Sequence, residues 1–379
     1  MNCENHELCG GCLFRNMSED NYKKQKEADV KAVLQKIKQE DINFGKTVFI
    51  ADGTRRRTTL AFSFHKGNLV LGFNQQKTHN LIDCYKCPLL TPKINNNLLN
   101  IRELIEGVGS IAFVRKDKKK IITSYLQTGD VYICEADNGL DVVLEFDNEL
   151  TLEHRMQIAE MSWKFVDIIR ISHRKKIDNP VEVIVEKTKP TINIKGTNVF
   201  IPAGNFLQAS KTAESVLIDL VMKYIGTSSG KCLDLFCGIG TFSYPLSLNI
   251  KNKIMAIDSS KEALSSFENT VKANVIPNIS IVCKNLFKYP LSGDELIGYD
   301  IMVFDPPRAG AEAQIAEIAK LSDENRPKKI VAVSCNPQTF VGDANILLVA
   351  GYKINEITIV DQFIYSPHAE VVALFEKIV

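Results

Sequence analysis

From Ala203 onward, short apolar runs alternate with longer segments whose apolar residues recur at helical spacing. The runs fall at residues 232–236, 254–257, 279–283, 301–304, 330–334, 354–360 and 371–377. Helix-length segments separate the first six, the pattern of an open α/β sheet with parallel strands. Only residues 361–370 join the last two, too few for a crossover helix, so the closing pair is predicted antiparallel. Between Thr47 and about Gly196 the texture differs. Runs of β-type residues at 60–64, 69–73, 121–126, 131–135, 142–146, 181–185 and 191–194 are punctuated by turn residues such as Lys66-Gly67-Asn68 and Gly129-Asp130. One helix is predicted over 93–106, and a polar helix runs from Ser18 to about Lys38, with Ser18 and Asp20 as N-cap candidates. Two domains follow: a mainly antiparallel β (α+β) domain over residues 1–200, and a Rossmann-like α/β domain over residues 201–379.

The α/β half is organised around residues 231–243, Lys-Cys-Leu-Asp-Leu-Phe-Cys-Gly-Ile-Gly-Thr-Phe-Ser. An apolar strand here ends in a Gly-x-Gly turn and a helix-compatible segment follows, as in the first strand, loop and helix of a nucleotide-binding sheet. Gly238 and Gly240 are expected to let the backbone pass close to a ligand. Asp258 ends the next apolar run, where an acidic residue accepts ribose hydroxyls. Ser243 stands where a third glycine would be sought, and the ending of a phosphate-binding P-loop is absent. An adenosine ligand without a pyrophosphate suits such a turn, S-adenosylmethionine (SAM) foremost; a nicotinamide site and a vestigial loop are the competing readings.

Three further groups sit at predicted strand ends. Asp305-Pro306-Pro307-Arg308 follows the 301–304 run, where two prolines stiffen the chain and hold the flanking ions at defined angles. Ser334-Cys335-Asn336-Pro337 ends the 330–334 run. Free cysteines are most often small core residues, but this one lies on the same sheet edge as the glycine turn, the place for a nucleophile. Asp361-Gln362-Phe363 and Pro367-His368-Ala369-Glu370 complete the set, with Glu370 opening the last strand.

Composition changes the picture in two respects. Apolar content of 45% and charged content of 24% are those of a globular protein, no apolar run approaches the roughly 20 residues that span a bilayer, and no signal peptide is evident; a cytoplasmic location without membrane contact is expected. Ten cysteines are then read as metal ligands, catalytic thiols or core residues rather than disulfides. Cys3, Cys9, Cys12 and Cys87 give C-x5-C-x2-C-x74-C, enough thiolates for an iron–sulfur cluster or an all-cysteine zinc site, with Cys84 competing for the fourth place. The net charge of +1 conceals an asymmetry: residues 201–379 carry 16 Lys and Arg against 19 Asp and Glu, and residues 1–200 carry 30 against 26. Basic stretches at Arg55-Arg56-Arg57, 115–120 and Arg174-Lys175-Lys176 all fall in the N-terminal half, where they read as solvated strand ends or as contacts to the phosphates of a polyanion.

The segments DLFCGIGTF, DPPRAG, SCNP and DQF…PHAE resemble, over the whole chain, the RNA uracil-C5 methyltransferases, which make 5-methyluridine in transfer or ribosomal RNA. The resemblance implies a SAM-dependent methyltransferase fold. It makes Cys335 the nucleophile that adds to uracil C6, Glu370 the base that removes the C5 proton, and Asp305 and Arg308 the groups that fix the flipped base. Gln208, in an F-x-Q motif with Phe206, together with Phe236, Asp258, Asn285 and Asp305, matches the family's SAM contacts. Asp258 stands where many members carry Glu. The N-terminal cysteines are similar to those holding a [4Fe-4S] cluster in the ribosomal-RNA members, and Cys87-Pro88 matches the family's Cys-Pro. The chain begins at its cysteines without the N-terminal β-barrel module of many such members, which is like the shorter members, while its CGGC is like the longer ones; ribosomal RNA is the expected substrate and transfer RNA the alternative. No obligate protein partner is implied. Cytosine-C5 enzymes carry a cysteine in the loop that here reads DPPR, and adenine-N6 enzymes an aromatic where Arg308 stands. An RNA-binding protein with an idle SAM site is a rival from another class, and so is an oxidoreductase using the iron–sulfur centre.

Overall fold

The structure, a computed structural model, describes residues 3–117, 120–177, 179–249 and 251–378. It divides into two compact units whose boundary is crossed more than once. One comprises Met1–Asn16, Ala51–Ile192 and Ile201–Ser210, the other Met17–Ile50, Asn193–Phe200 and Lys211–Val379. Residues 17–50, 193–200 and 201–210 thus group otherwise than a single cut at 200/201 has them.

The first unit holds a seven-stranded sheet in the order Glu182–Glu186, Ile168–Arg174, Gly139–Glu145, Thr128–Ala136, Arg57–His65, Asn68–Asn74, Leu81–Asp83. All neighbours are antiparallel except Gly139–Glu145 and Ile168–Arg174, which run parallel. The Leu152–Ser162 helix lies between those two in sequence, as a parallel crossover demands. The predicted 93–106 helix is two helices, Pro92–Asn96 and Leu98–Ser110, broken at Asn97. Their apolar faces close on the sheet in one core that includes Leu60, Ile101, Leu104, Val142 and Ile158.

Two of the basic stretches are bound up in this framework. Arg56 is buried and donates to the Gln208 carbonyl at 3.0 Å. Arg174 pairs with Glu145 at 2.7 Å, Lys175 with Glu149 at 2.6 Å and Lys176 with Asp147 at 3.9 Å. The side chains of the third stretch, 115–120, lie outside the described residues.

The second unit is built on an eight-stranded sheet in the order Val48–Phe49, Tyr352–Asp361, Glu370–Lys377, Lys329–Ser334, Ile301–Phe304, Lys231–Leu235, Lys253–Asp258, Ile279–Cys283. The last five are mutually parallel, and Glu370–Lys377 runs antiparallel to both its neighbours. Ile301–Phe304 is buried along its whole length, as expected of a parallel strand covered on both faces. The Glu19–Leu34 helix, capped by the Ser18 hydroxyl on the Asn21 amide, belongs to this unit and contributes Val30 and Leu34 to its core.

The turn after Lys231–Leu235 uses its glycines differently from one another. Both have positive φ, +55° at Gly238 and +94° at Gly240. A Cβ at Gly238 would meet nothing within 4 Å, whereas one at Gly240 would come within 2.5 Å of the Phe267 ring. Gly238 therefore leaves room on the ligand side, and Gly240 lets the turn pack on a helix. Gly240→Ala is expected to cost about 1–3 kcal/mol through ring displacement and backbone strain, against about 1 kcal/mol for Gly238→Ala. Thermal melting of the two variants checks the order; a Gly240→Ala protein as stable as wild type would overturn it.

Candidate active site

In a sheet of this kind the carboxyl ends of the parallel strands share one edge, and ligands bind there. Asp234, Asp258, Asp305 and Cys335 all stand at or just past such ends. Glu370 joins them because its strand runs the other way: Ser334 pairs with Val371, so residue 335 leaves one strand where residue 370 enters the next.

Asp258 accepts from the Gly238 amide at 2.9 Å and from the Ser260 amide at 2.8 Å, which ties the glycine turn to the neighbouring strand end. Ser243 donates to Asp234 at 2.5 Å. Burial pushes the Asp234 carboxyl up to about 7 against the pull of that hydrogen bond, and the nearby Asp305 and Asp258 carboxylates add to the rise. Three carboxyl groups thus lie within electrostatic reach of one another at one sheet edge, a setting that favours a ligand carrying positive charge, as the sulfonium and ammonium of SAM do. Asn285 follows the Ile279–Cys283 strand and accepts from the Phe287 and Lys288 amides, each at 3.1 Å. Phe236, at φ +61°, lies in the turn rather than in the strand, with its ring 5.3 Å from that of Phe287. Phe287 has no distinguishing mark in the sequence.

Cys335 is half-buried between Ser334 and the N-cap of the Pro337–Val349 helix. Asn336 caps that helix by accepting from the Gln338 amide at 3.2 Å, and its side chain also donates to the Arg308 carbonyl at 3.0 Å. The SCNP and DPPR segments are thereby one hydrogen-bonded unit. Burial first, and then the Glu370 and Asp305 carboxylates, push the Cys335 thiol up to about 11 against the opposing pull of Arg308. These are the ionic neighbours of the sulfur. A cavity of about 480 Å³ opens at Cys335, lined also by Arg308, Pro367, His368 and, from the Glu19–Leu34 helix, Val30 and Val33. Glu370 is buried and accepts from the Gln362 amide nitrogen at 2.5 Å. His368 titrates below the usual range because burial, Arg308 and Lys26 all disfavour its charged form.

Gln208 and Phe206 belong to the first unit. Gln208 is buried, and the exposed Phe206 ring carries the Arg57 guanidinium 4.3 Å above it. The N-terminal cysteines are in that unit too. The Gly10 amide donates to the Asn74 carbonyl at 3.0 Å, and the Asn5 side chain to the Asp83 carbonyl at 3.2 Å. Cys87 is clamped by Asn95, which accepts from its amide at 2.8 Å and donates to its carbonyl at 3.0 Å. Burial pushes the Cys12 thiol up to about 12, with Cys87, Cys9 and Cys3 adding to the rise. Cys84 is likewise raised to about 12, by burial and then by Cys87, Cys9 and Cys3. The thiols are therefore neighbours, yet among the described residues no group of three or more His, Cys, Asp or Glu is placed to hold a metal ion. No helix among the described residues is long and apolar enough to cross a membrane.

Sequence comparison matches residues 19–378 to the family described as tRNA (Uracil-5-)-methyltransferase. An uncharacterized RNA methyltransferase of Brucella melitensis is 34% identical over 376 residues, covering 99% of this chain and 84% of its own. The 23S rRNA (uracil(1939)-C(5))-methyltransferase RlmD of Aeromonas salmonicida is 24% identical, with 99% and 82% covered. Among solved structures, the Pyrococcus abyssi tRNA (uracil-54, C5)-methyltransferase in complex with S-adenosyl-L-homocysteine has the same fold, with a TM-score of 0.72 at 22% identity over 97% of this chain and 86% of that one. The strand-end carboxylates, the thiol and the family match agree, and the chain belongs to the SAM-dependent RNA uracil-C5 methyltransferase family.

Proposed function

We propose that this enzyme methylates C5 of one uridine in structured ribosomal RNA through a covalent adduct between Cys335 and uracil C6. The observation that carries the proposal is the company of the Cys335 sulfur: Glu370, Asp305 and Arg308 are its charged neighbours, and a cavity opens beside it. Uracil C5 is a poor nucleophile on its own. Addition of the Cys335 thiolate to C6 gives C5 enolate character; SAM supplies the methyl group as an electrophilic sulfonium. Glu370 then takes the C5 proton, the C6–S bond breaks, and the thiolate leaves. Arg308 stabilises charge at the pyrimidine oxygens, and Asp305 orients the ring. In the free protein burial and two carboxylates hold the thiol protonated. Arg308 and the N-terminus of the Pro337–Val349 helix favour the thiolate once the base enters. Gln208, Phe236, Gly238, Asp258 and Asn285 are assigned to SAM, with Gly240 supporting the turn from behind.

Cys3, Cys9, Cys12 and Cys87 are assigned to a [4Fe-4S] cluster. The observation in its favour is the mutual electrostatic influence of these thiols, with Cys87 the strongest thiol neighbour of Cys12. When bound, the cluster would staple the N-terminal segment to the sheet. Ribosomal RNA is preferred because the cysteine set resembles that of the ribosomal-RNA members and because the Aeromonas relative is named for 23S rRNA. Transfer RNA is the second reading, favoured by the likeness to the Pyrococcus enzyme.

Labelled SAM with unmodified 23S rRNA is expected to yield 5-methyluridine, with Cys335→Ala yielding none; product on transfer RNA alone would move the assignment to the second reading, and full activity in Cys335→Ala would sink the covalent mechanism. Alkylation of Cys335 by iodoacetamide, followed by peptide mass spectrometry, is expected to climb steadily with pH toward the thiol's value of about 11. Glu370→Gln removes a negative charge beside the sulfur and should shift that profile to lower pH; a shift the other way contradicts the proximity. Protein purified without oxygen is expected to be brown, with about four iron atoms per chain. Cys12→Ala should lose most of the iron, and a colourless protein containing zinc would overturn the cluster.

A further inference from the structure

The buried face of the Glu19–Leu34 helix reads Tyr22, Lys26, Val30, Leu34, one residue every four. A lysine in the middle of such a stripe is out of place. Its ammonium is nonetheless fully provided for: it pairs with the Asp361 carboxylate at 2.9 Å and donates to the Ser366 and His368 carbonyls, each at 2.5 Å. Both side chains are only 1% exposed. Tyr22, one turn earlier, donates to the same carboxylate and accepts from the Tyr365 amide at 2.8 Å, while its ring lies 4.7 Å from the Tyr365 ring. One helix face thus holds residue 361, which ends the Tyr352–Asp361 strand, and residues 365, 366 and 368 of the connection from it to the Glu370–Lys377 strand.

That connection ends on Glu370 and begins beside Gln362, which hydrogen-bonds the Glu370 carboxylate. The same helix walls the cavity at Cys335 through Val30 and Val33, opposite Pro367 and His368. Burying an ion pair is a poor way to gain stability, because apolar side chains of equal volume do as well or better. A three-proton donor at fixed acceptors does something apolar packing does not, which is to set where the peptide groups of a loop stand. We propose that Lys26 is a positioning residue for Glu370: by holding Asp361, Ser366 and His368 at once, it fixes the loop that places the Glu370 carboxylate for C5 deprotonation. The proposal rests on the role given to Glu370 above.

If Lys26 acts through Glu370, its loss slows the last steps and spares the first. Addition of Cys335 and methyl transfer then still occur, and the methylated adduct waits for its proton to be removed. Purified full-length Lys26→Met, given SAM and in-vitro-transcribed 23S rRNA or tRNA, whichever the wild type methylates, is expected to lose about 10–100-fold in kcat. KM for SAM should change less than twofold. On denaturing gels this variant should accumulate an RNA–protein adduct with ordinary uridine, and so should Glu370→Gln. Tyr22→Phe keeps the ion pair while removing two of the loop's hydrogen bonds, and should show the same adduct at a smaller loss of rate. It carries the test if Lys26→Met fails to fold. Glu370→Gln without adduct sinks the base assignment and this proposal together. Glu370→Gln with adduct, and folded Lys26 or Tyr22 variants without it, sinks the positioning role alone.

Discussion

The antiparallel ladder between Lys329–Ser334 and Glu370–Lys377 is the constraint on which the rest depends. Parallel strands deliver their last residues to one edge of a sheet, so they bring Asp234, Asp258, Asp305 and Cys335 together but cannot bring a residue that opens a strand. Reversing the final strand solves this. With Ser334 opposite Val371, the ladder brings Cys335 beside Glu370, although the two are 35 positions apart. The first four residues of that last strand are all buried, so both of its faces are covered where it runs beside Cys335.

Much of this edge was legible in the sequence. Apolar runs carried the strand positions: Ile301–Phe304, buried throughout, and Ile279–Cys283, the half-exposed edge strand, both end where the sequence places them. The reversed last strand followed from the length of its connection alone. Phe236 was counted into its strand because an apolar residue before a turn carries no mark of its left-handed backbone. Gly240 looked like a ligand contact because nothing local tells a glycine facing a ligand from one facing Phe267.

The less legible residues are charged groups that turn out to be inside. The Ile168–Arg174 strand was missed because Arg170, Ser172, His173 and Arg174 interrupt its apolar pattern; in the structure it is buried throughout, and Arg170 makes a bidentate pair with Asp141 at 2.8 and 2.7 Å. Arg56 and Arg174 read as part of an RNA-facing surface and are committed to the protein's own carbonyls and carboxylates. Lys26 gave one usable signal, its place on an otherwise apolar stripe with a four-residue repeat. The partner that explains each of these charges is far away in sequence, and pattern reading works over neighbours.

The Glu19–Leu34 helix also has a history in time. It leaves the ribosome well before its partner, because the carboxylate that Tyr22 and Lys26 hold is 339 positions downstream of Tyr22. At the ordinary pace of translation, about 5–20 residues per second, it waits roughly 15–70 s for that partner. A helix with an all-apolar stripe would spend the interval as an adhesive surface on a nascent chain. A tyrosine and a lysine on the buried face, among the glutamates, glutamines and lysines of the rest, keep it hydrated until the last strand arrives.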